Sequence, residues 1–181
     1  MKKIIGIFIL LALIATSCQK EEKVGGTAVE AMAGEWYTTA SRTYVDGDGV
    51  EQTDSYDAHF FTYNTAANTA TEIWLDDAES FWQFKGKVNV DLNSLTFASD
   101  AIQNEYYDMT FDVLNGKILK GAAKGPGSDA PTDSIYFEVK FSDDDPDITT
   151  PWVISGFKKT GFLEDEPYIL LRKIAIEAKR L

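Results

Sequence analysis

Two side chains in this sequence have chemistry that is hard to hide: Cys18, the single thiol, and His59, the single histidine. Nucleophilic catalysis by serine or cysteine needs an imidazole beside the nucleophile. His59 lies in Ala58-His59-Phe60-Phe61, inside a strand-like run, and no Gly-x-Ser-x-Gly elbow exists to present a serine to it. We therefore read His59 as a strand residue and assign no catalytic residues. Zinc would need clustered His and Cys, which are absent. Asp46-Gly47-Asp48-Gly49, followed by Glu51 and Asp54, has the oxygen-rich look of a calcium loop. Its spacing fails where Val50 should be a ligand and Asp57 the closing glutamate, so an Asp-Gly turn is the simpler reading. The run Asp143-Asp144-Asp145-Pro146-Asp147 reads as a solvated loop. Acidic residues are numerous enough to offer a carboxylate pair for glycoside hydrolysis, but nothing selects one. Neither a metal nor any other cofactor is expected.

Cys18 has a clearer context. Lys2 and Lys3 precede an apolar stretch from Ile4 to Ala15, broken only by Gly6, and small residues Thr16 and Ser17 lead into the cysteine. The stretch fits a signal-peptide h-region and is too short to span a bilayer. A lone thiol in an exported chain has no internal disulfide partner, and lipidation resolves that. The segment resembles a bacterial lipobox, with Ala15 where leucine is commonest, a departure that fits the looser lipoboxes of the Bacteroidetes. Gln19-Lys20-Glu21-Glu22 resembles the lysine-plus-acidic export signal of lipoproteins in that phylum. The resemblance implies a lipid anchor on Cys18 in the bacterial outer membrane, facing the exterior, with other surface lipoproteins as possible neighbours. The expected organisation is a removed signal at 1–17, a lipidated cysteine and tether at 18–30, a domain at 31–176 and a polar tail at 177–181.

The remaining chain fits one domain with a real core. The full sequence holds 17 basic and 29 acidic residues, a net charge of −12, and removal of Lys2 and Lys3 with the signal makes the remaining chain more acidic still. Nucleic acid is excluded as a partner, because its binding rests on cationic contacts to phosphate. Attraction to anionic head groups is excluded on the same ground, so the membrane contact rests on the lipid.

The elements that must position any site are strands. Four Trp, eight Tyr and eleven Phe sit in short period-two runs separated by Gly-containing turns. Strands are expected over Gly34–Val45, Ala58–Tyr63, Thr71–Leu75, Phe81–Leu92 with a bend at Gly86, and Leu95–Phe97. Tyr106–Leu114 and Lys117–Ala122 read as a hairpin about Asn115-Gly116, since Asn-Gly accepts the positive φ of a type I′ turn. Ile135, Phe137, Val139 and Phe141 alternate with Tyr136, Glu138 and Lys140. Trp152–Phe162 and Tyr168–Ile174 complete the set, with a short helix possible over Ile174–Lys179. The fold class is all-β: a single antiparallel up-and-down barrel of about eight to ten strands, with a β-sandwich as the alternative. Closure would remove the exposed edges of such aromatic strands.

Gly34-Glu35-Trp36 resembles the Gly-x-Trp that opens strand one of lipocalins and related calycin barrels. The resemblance implies that Trp36 closes the barrel floor against a basic side chain, for which Arg172 in Leu170-Leu171-Arg172-Lys173 is the candidate; such a cation–π contact is worth about 0.5–2 kcal/mol. From Cys18 through the final strand the chain resembles the Bacteroides lipoproteins grouped as lipid-binding putative hydrolases, which have a calycin-like barrel. That resemblance implies a small apolar or lipid-like ligand inside the barrel. Trp74, Trp82, Phe84, Tyr107, Phe111 and Phe137 are the candidate lining, because large aromatics suit such a pocket, although they could equally make a packed core. Two other readings stay open: a glycan-binding accessory lipoprotein with exposed stacking aromatics, and an envelope protein without a ligand.

Overall fold

The computed structural model describes residues 26–167. Eight antiparallel strands pair in chain order, and the last returns to the first to close one barrel. They are β1 (Gly34–Val45), β2 (Glu51–Asn64), β3 (Glu72–Asp76), β4 (Lys85–Asp91), β5 (Thr96–Gln103), β6 (Thr110–Lys124), β7 (Pro131–Phe141) and β8 (Trp152–Lys158). Closure is carried by β1, which pairs with β2 along its whole length and with β8 from Trp36↔Lys158 to Ser41↔Val153. Arg42–Val45 of β1 and the opposite Glu51–Asp54 of β2 therefore extend as a hairpin past the β8 pairing. Its tip is an Asp-Gly turn in which Asp46 Oδ1 accepts the N–H groups of Asp48 at 3.1 Å and Val50 at 2.9 Å. Cys18, Arg172 and the expected elements after Pro167 lie outside the described residues.

Period-two alternation decides what faces in. On β7, Ile135, Phe137, Val139 and Phe141 are buried, while Tyr136, Glu138 and Lys140 turn outward. Trp36, Thr38, Ala40 and Arg42 do the same on β1. One end of the barrel, the floor, is closed by a short 3-10 turn at Glu30–Met32 that buries Val29 and Met32. The other end, the mouth, carries the loops 46–50, 77–84, 104–109 and 142–151.

Several expected boundaries are corrected. Asn115-Gly116 is no hairpin turn: residues 110–124 run as one strand, β6, with a register shift between Leu114 and Lys117. Asn115 does take the left-handed conformation, at φ 54°, but uses it in a β-bulge that keeps both flanks facing one core. A turn would have paired those flanks with each other; instead β6 lies between β5 and β7. Phe81–Gln83 leaves the expected Phe81–Leu92 strand because Asp77 captures its N–H groups in a loop. Finally, β5 extends to Gln103 and β8 stops at Lys158.

Gly116 sits where a Cβ would fall 2.4 Å from both the carbonyl oxygen and a ring carbon of Phe97. Gly116→Val is expected to lower unfolding free energy by about 1–3 kcal/mol, whereas Asn115→Gly, which suits the same φ, should change it little. Urea midpoints of the two variants check the pair.

Candidate functional site

At the barrel floor Gly34 and Trp36 meet a basic side chain, Lys158. Trp36 is fully buried, and its indole N–H donates to Thr62 Oγ1 at 2.8 Å. Thr62 in turn donates to the Met32 carbonyl at 2.6 Å, tying the 3-10 turn to the wall. Lys158 lies with its Nζ 5.8 Å from the Trp36 ring and donates to the Ala33 carbonyl at 2.7 Å. A Cβ on Gly34 would stand 2.8 Å from the Lys158 stem, so the glycine is what lets that lysine cross the indole. Among the described residues Lys158 holds the place expected of Arg172.

Above the floor the lumen is filled. Phe84, Phe111 and Phe137, three of the expected lining residues, do converge, but on one another and on Phe60. Phe84–Phe111 centroids lie 4.9 Å apart, Phe60–Phe137 5.3 Å and Phe60–Phe84 5.6 Å, all direct ring contacts. None of the four rings is more than 1% exposed. These side chains interdigitate as a core does.

The other three expected residues stand elsewhere. Trp74 faces outward on β3 with Lys85 and Lys87 ammonium groups 5.3 and 5.2 Å from its ring. Trp82 sits at the mouth, stacked on Phe141 at 4.7 Å with the planes 1° apart, while Phe81 meets Trp152 edge-on at 4.9 Å. The buried Asp77 carboxylate shapes this lid by accepting N–H groups from Glu79, Phe81, Trp82, Gln83 and Phe84. Asp143 anchors it from outside, accepting from Trp82 Nε1 at 3.1 Å and from Tyr107 Oη at 2.7 Å. Arg42 lies 4.3 Å over Trp152 and is held by Asp144 at 2.6 Å and Asp54 at 3.3 Å. The acidic loop expected to be merely solvated thus pins the mouth shut. Among the described residues, no three His, Cys, Asp or Glu side chains are grouped to hold a metal ion.

Open space lies on the outer wall instead. A groove of about 600 Å³ runs along β8, β1 and β2, from Pro126 and Pro167 near the floor to Ser80 near the mouth. Its size falls within the roughly 300–1,000 Å³ of ligand pockets. Strand register builds its base: Tyr37 lies opposite His59 on β2 and opposite Phe157 on β8. Tyr37 stacks on His59 at 4.9 Å and leans on Phe157 at 5.8 Å. Ala58 and the two prolines add apolar lining. A second hollow, on β4 to β7 beside the bulge, is lined by polar groups including Asn89, Asp91, Asn115 and Glu138.

A charged cluster borders the groove. Glu35 Oε1 meets His59 Nε2 at 3.0 Å and Lys159 Nζ at 3.0 Å, and Lys159 reaches Glu166 at 3.3 Å. Tyr37 Oη donates to Glu166. Burial, then the Glu166 bond, pushes the Tyr37 hydroxyl up to about 12. The Glu35 hydrogen bond chiefly raises Lys159, and the Tyr37 bond chiefly lowers Glu166. At neutral pH Tyr37 is a neutral phenol, Lys159 an ammonium and Glu166 a carboxylate, fixed beside an apolar trough. That arrangement places fixed charges beside apolar side chains. Ser80 Oγ is engaged with the backbone of His59 rather than its ring, accepting its N–H at 2.9 Å and donating to its carbonyl at 3.0 Å. Sequence reasoning missed Tyr37, Phe157, Lys159 and Glu166. The available signal was Tyr37 itself, an aromatic on the face opposite Trp36, but its neighbours depend on register.

A closed eight-stranded up-and-down barrel with a plugged floor and a lateral apolar groove is a binding scaffold. The chain belongs to the lipid-binding putative hydrolase family, whose model matches residues 21–163 and so spans the whole barrel. A search of curated proteins found no match.

One wall of the groove hangs on Asp165, which is 1% exposed. Its carboxylate accepts from Ser128 Oγ and from the N–H groups of Gly127 and Ser128, fixing the segment that carries Glu166 and Pro167. Burial works against the charge, but hydrogen bonds from Ser128, Thr160 and the backbone outweigh it, and the pKa falls to about 2. The unfolded chain binds this proton first, so the stabilisation is full above about pH 4 and is lost as pH falls through about 2. Acid titration of thermal stability should show this loss, and Asp165→Asn should be less stable at neutral pH and flatter below pH 4.

Proposed function

We propose that this chain is a lipid-anchored carrier that holds a lipid-like apolar ligand in the outer-wall groove over Tyr37, His59 and Phe157. The observation that carries the reading is the pairing of a filled lumen with an open, apolar groove bordered by fixed charges. Membership of a lipid-binding family supplies the ligand class. In this reading the acyl portion lies on Tyr37, Ala58, Phe157, Pro126 and Pro167, and a polar head meets Lys159, Tyr37 and Glu166. The expected place for the ligand, inside the barrel, is given up because Phe60, Phe84, Phe111 and Phe137 already occupy it. Cys18 carries the membrane lipid, at the outer membrane and facing outward, supported by the apolar segment before it and the Lys20-Glu21-Glu22 run after it.

A fluorescent fatty acid titrated into residues 18–181 tests the proposal. Saturable binding below ~100 μM is expected. Ser155→Trp, which fills the groove from an exposed position, should weaken it about tenfold or more, ~1.4 kcal/mol, without loss of stability. Phe137→Leu, inside the barrel, should leave affinity unchanged. The reverse pattern, or no binding at all, rejects the groove.

A further inference from the structure

The two ends of the barrel differ in a way the groove does not require. At the mouth, each of the loops 46–50, 77–84, 104–109 and 142–151 carries acidic residues, and none holds a lysine or arginine. At the floor, the loops 65–71 and 92–95 are uncharged, 125–130 holds Asp129 alone, and the 3-10 turn carries Glu30. The segment after β8 adds Lys159 with Glu164, Asp165 and Glu166, of which Asp165 is bonded to Ser128 and Glu166 to Tyr37 and Lys159.

That same segment displays two adjacent apolar side chains to solvent. Phe162 is 50% exposed and Leu163 69% exposed. They are not on a frayed strand end. Leu163 opens the 3-10 turn Leu163–Asp165, and the turn is fixed to the 125–130 loop by Asp165 bonds of 2.6–2.8 Å to Gly127 and Ser128. A pinned pair of large apolar groups in water is a cost that burial against another surface removes.

The chain also enters at this end. Gly26 leads into Val29 and Met32 beneath Trp36, and the residues from Cys18 to Gly26 can span at most about 27 Å. A lipid on Cys18 would therefore keep the barrel within that distance of a bilayer. The acidic mouth would be repelled from an anionic surface.

We propose that the floor end docks on the lipid bilayer surface, with Phe162 and Leu163 inserted at the interface and the acidic mouth directed away. The docking rests on exposure, charge and chain entry, and stands or falls independently of what the groove binds. It does add one geometric link: Pro126 and Pro167, which line the groove, lie at this end of the barrel.

The single thiol allows a direct test. Residues 18–181 are coupled through Cys18 to phosphatidylcholine vesicles containing a maleimide lipid, and amide hydrogen exchange is compared with the uncoupled protein. Docking predicts slowed exchange in 159–166 on the vesicle and unchanged exchange in 46–50, 104–109 and 142–151. The double variant Phe162→Ser, Leu163→Ser should lose that protection while keeping the exchange pattern of β1 to β8. Equal exchange of 159–166 in coupled and free wild-type protein overturns the proposal, as does protection of the mouth loops. Should the double variant fold poorly, the wild-type comparison alone decides.

Discussion

A barrel of eight strands encloses a volume set by its strand number and tilt, just wide enough for side chains to fill. Here they do fill it. Trp36 at the bottom, Phe60, Phe84, Phe111 and Phe137 in the middle and Trp152 at the top leave rings in contact with rings and 0–2% of their surface exposed. Everything else follows from that occupancy. The fold has a tightly packed core without disulfides, and the open apolar space among the described residues lies on the outer face. Each strand is two-sided, so the residues that alternate with the core form a second continuous surface. On β1 this puts Trp36 in the floor and Tyr37 in the groove, one residue apart.

Two buried carboxylates hold the ends of this cylinder, and they do different work. Asp77 gathers five backbone N–H groups and so folds the loop that lays Phe81 and Trp82 over the mouth. Asp165 ties the segment after β8 to the 125–130 loop, which sets Glu166 and Pro167 against the groove and aims Phe162 and Leu163 outward. A carboxylate suits both tasks because its lone pairs collect several donors at once, which a neutral side chain could not. Lys158 plays a related part at the floor, spending its ammonium on the Ala33 carbonyl and its stem on Trp36.

The strand character of the chain was legible from period two alone, most clearly in Ile135 to Phe141, where every expected inward residue is buried. Gly34-Glu35-Trp36 gave the floor. What failed were inferences that depend on neighbours. Asn115-Gly116 carries a true signal for positive φ, yet a bulge and a turn need the same dihedral, and only the pairing of the flanks separates them. Trp82 reads as strand because the capture of its N–H by Asp77, five residues back, leaves no periodic trace. Phe84, Phe111 and Phe137 do meet one another, directly or through Phe60, but aromatic content does not distinguish a lined cavity from a filled one. The groove was invisible for a stricter reason: Tyr37, His59 and Phe157 become a row only through two strand registers, and a slip of one residue in either would scatter them.

The central claim is that the ligand lies outside the barrel wall. Photo-crosslinking with a diazirine-bearing fatty acid, followed by mass spectrometric mapping of the modified residues, tests it most directly. The account predicts adducts on Tyr37, His59, Phe157 and the Pro126 loop. Adducts on Phe60, Phe84, Phe111 or Phe137 would contradict it and return the ligand to the lumen.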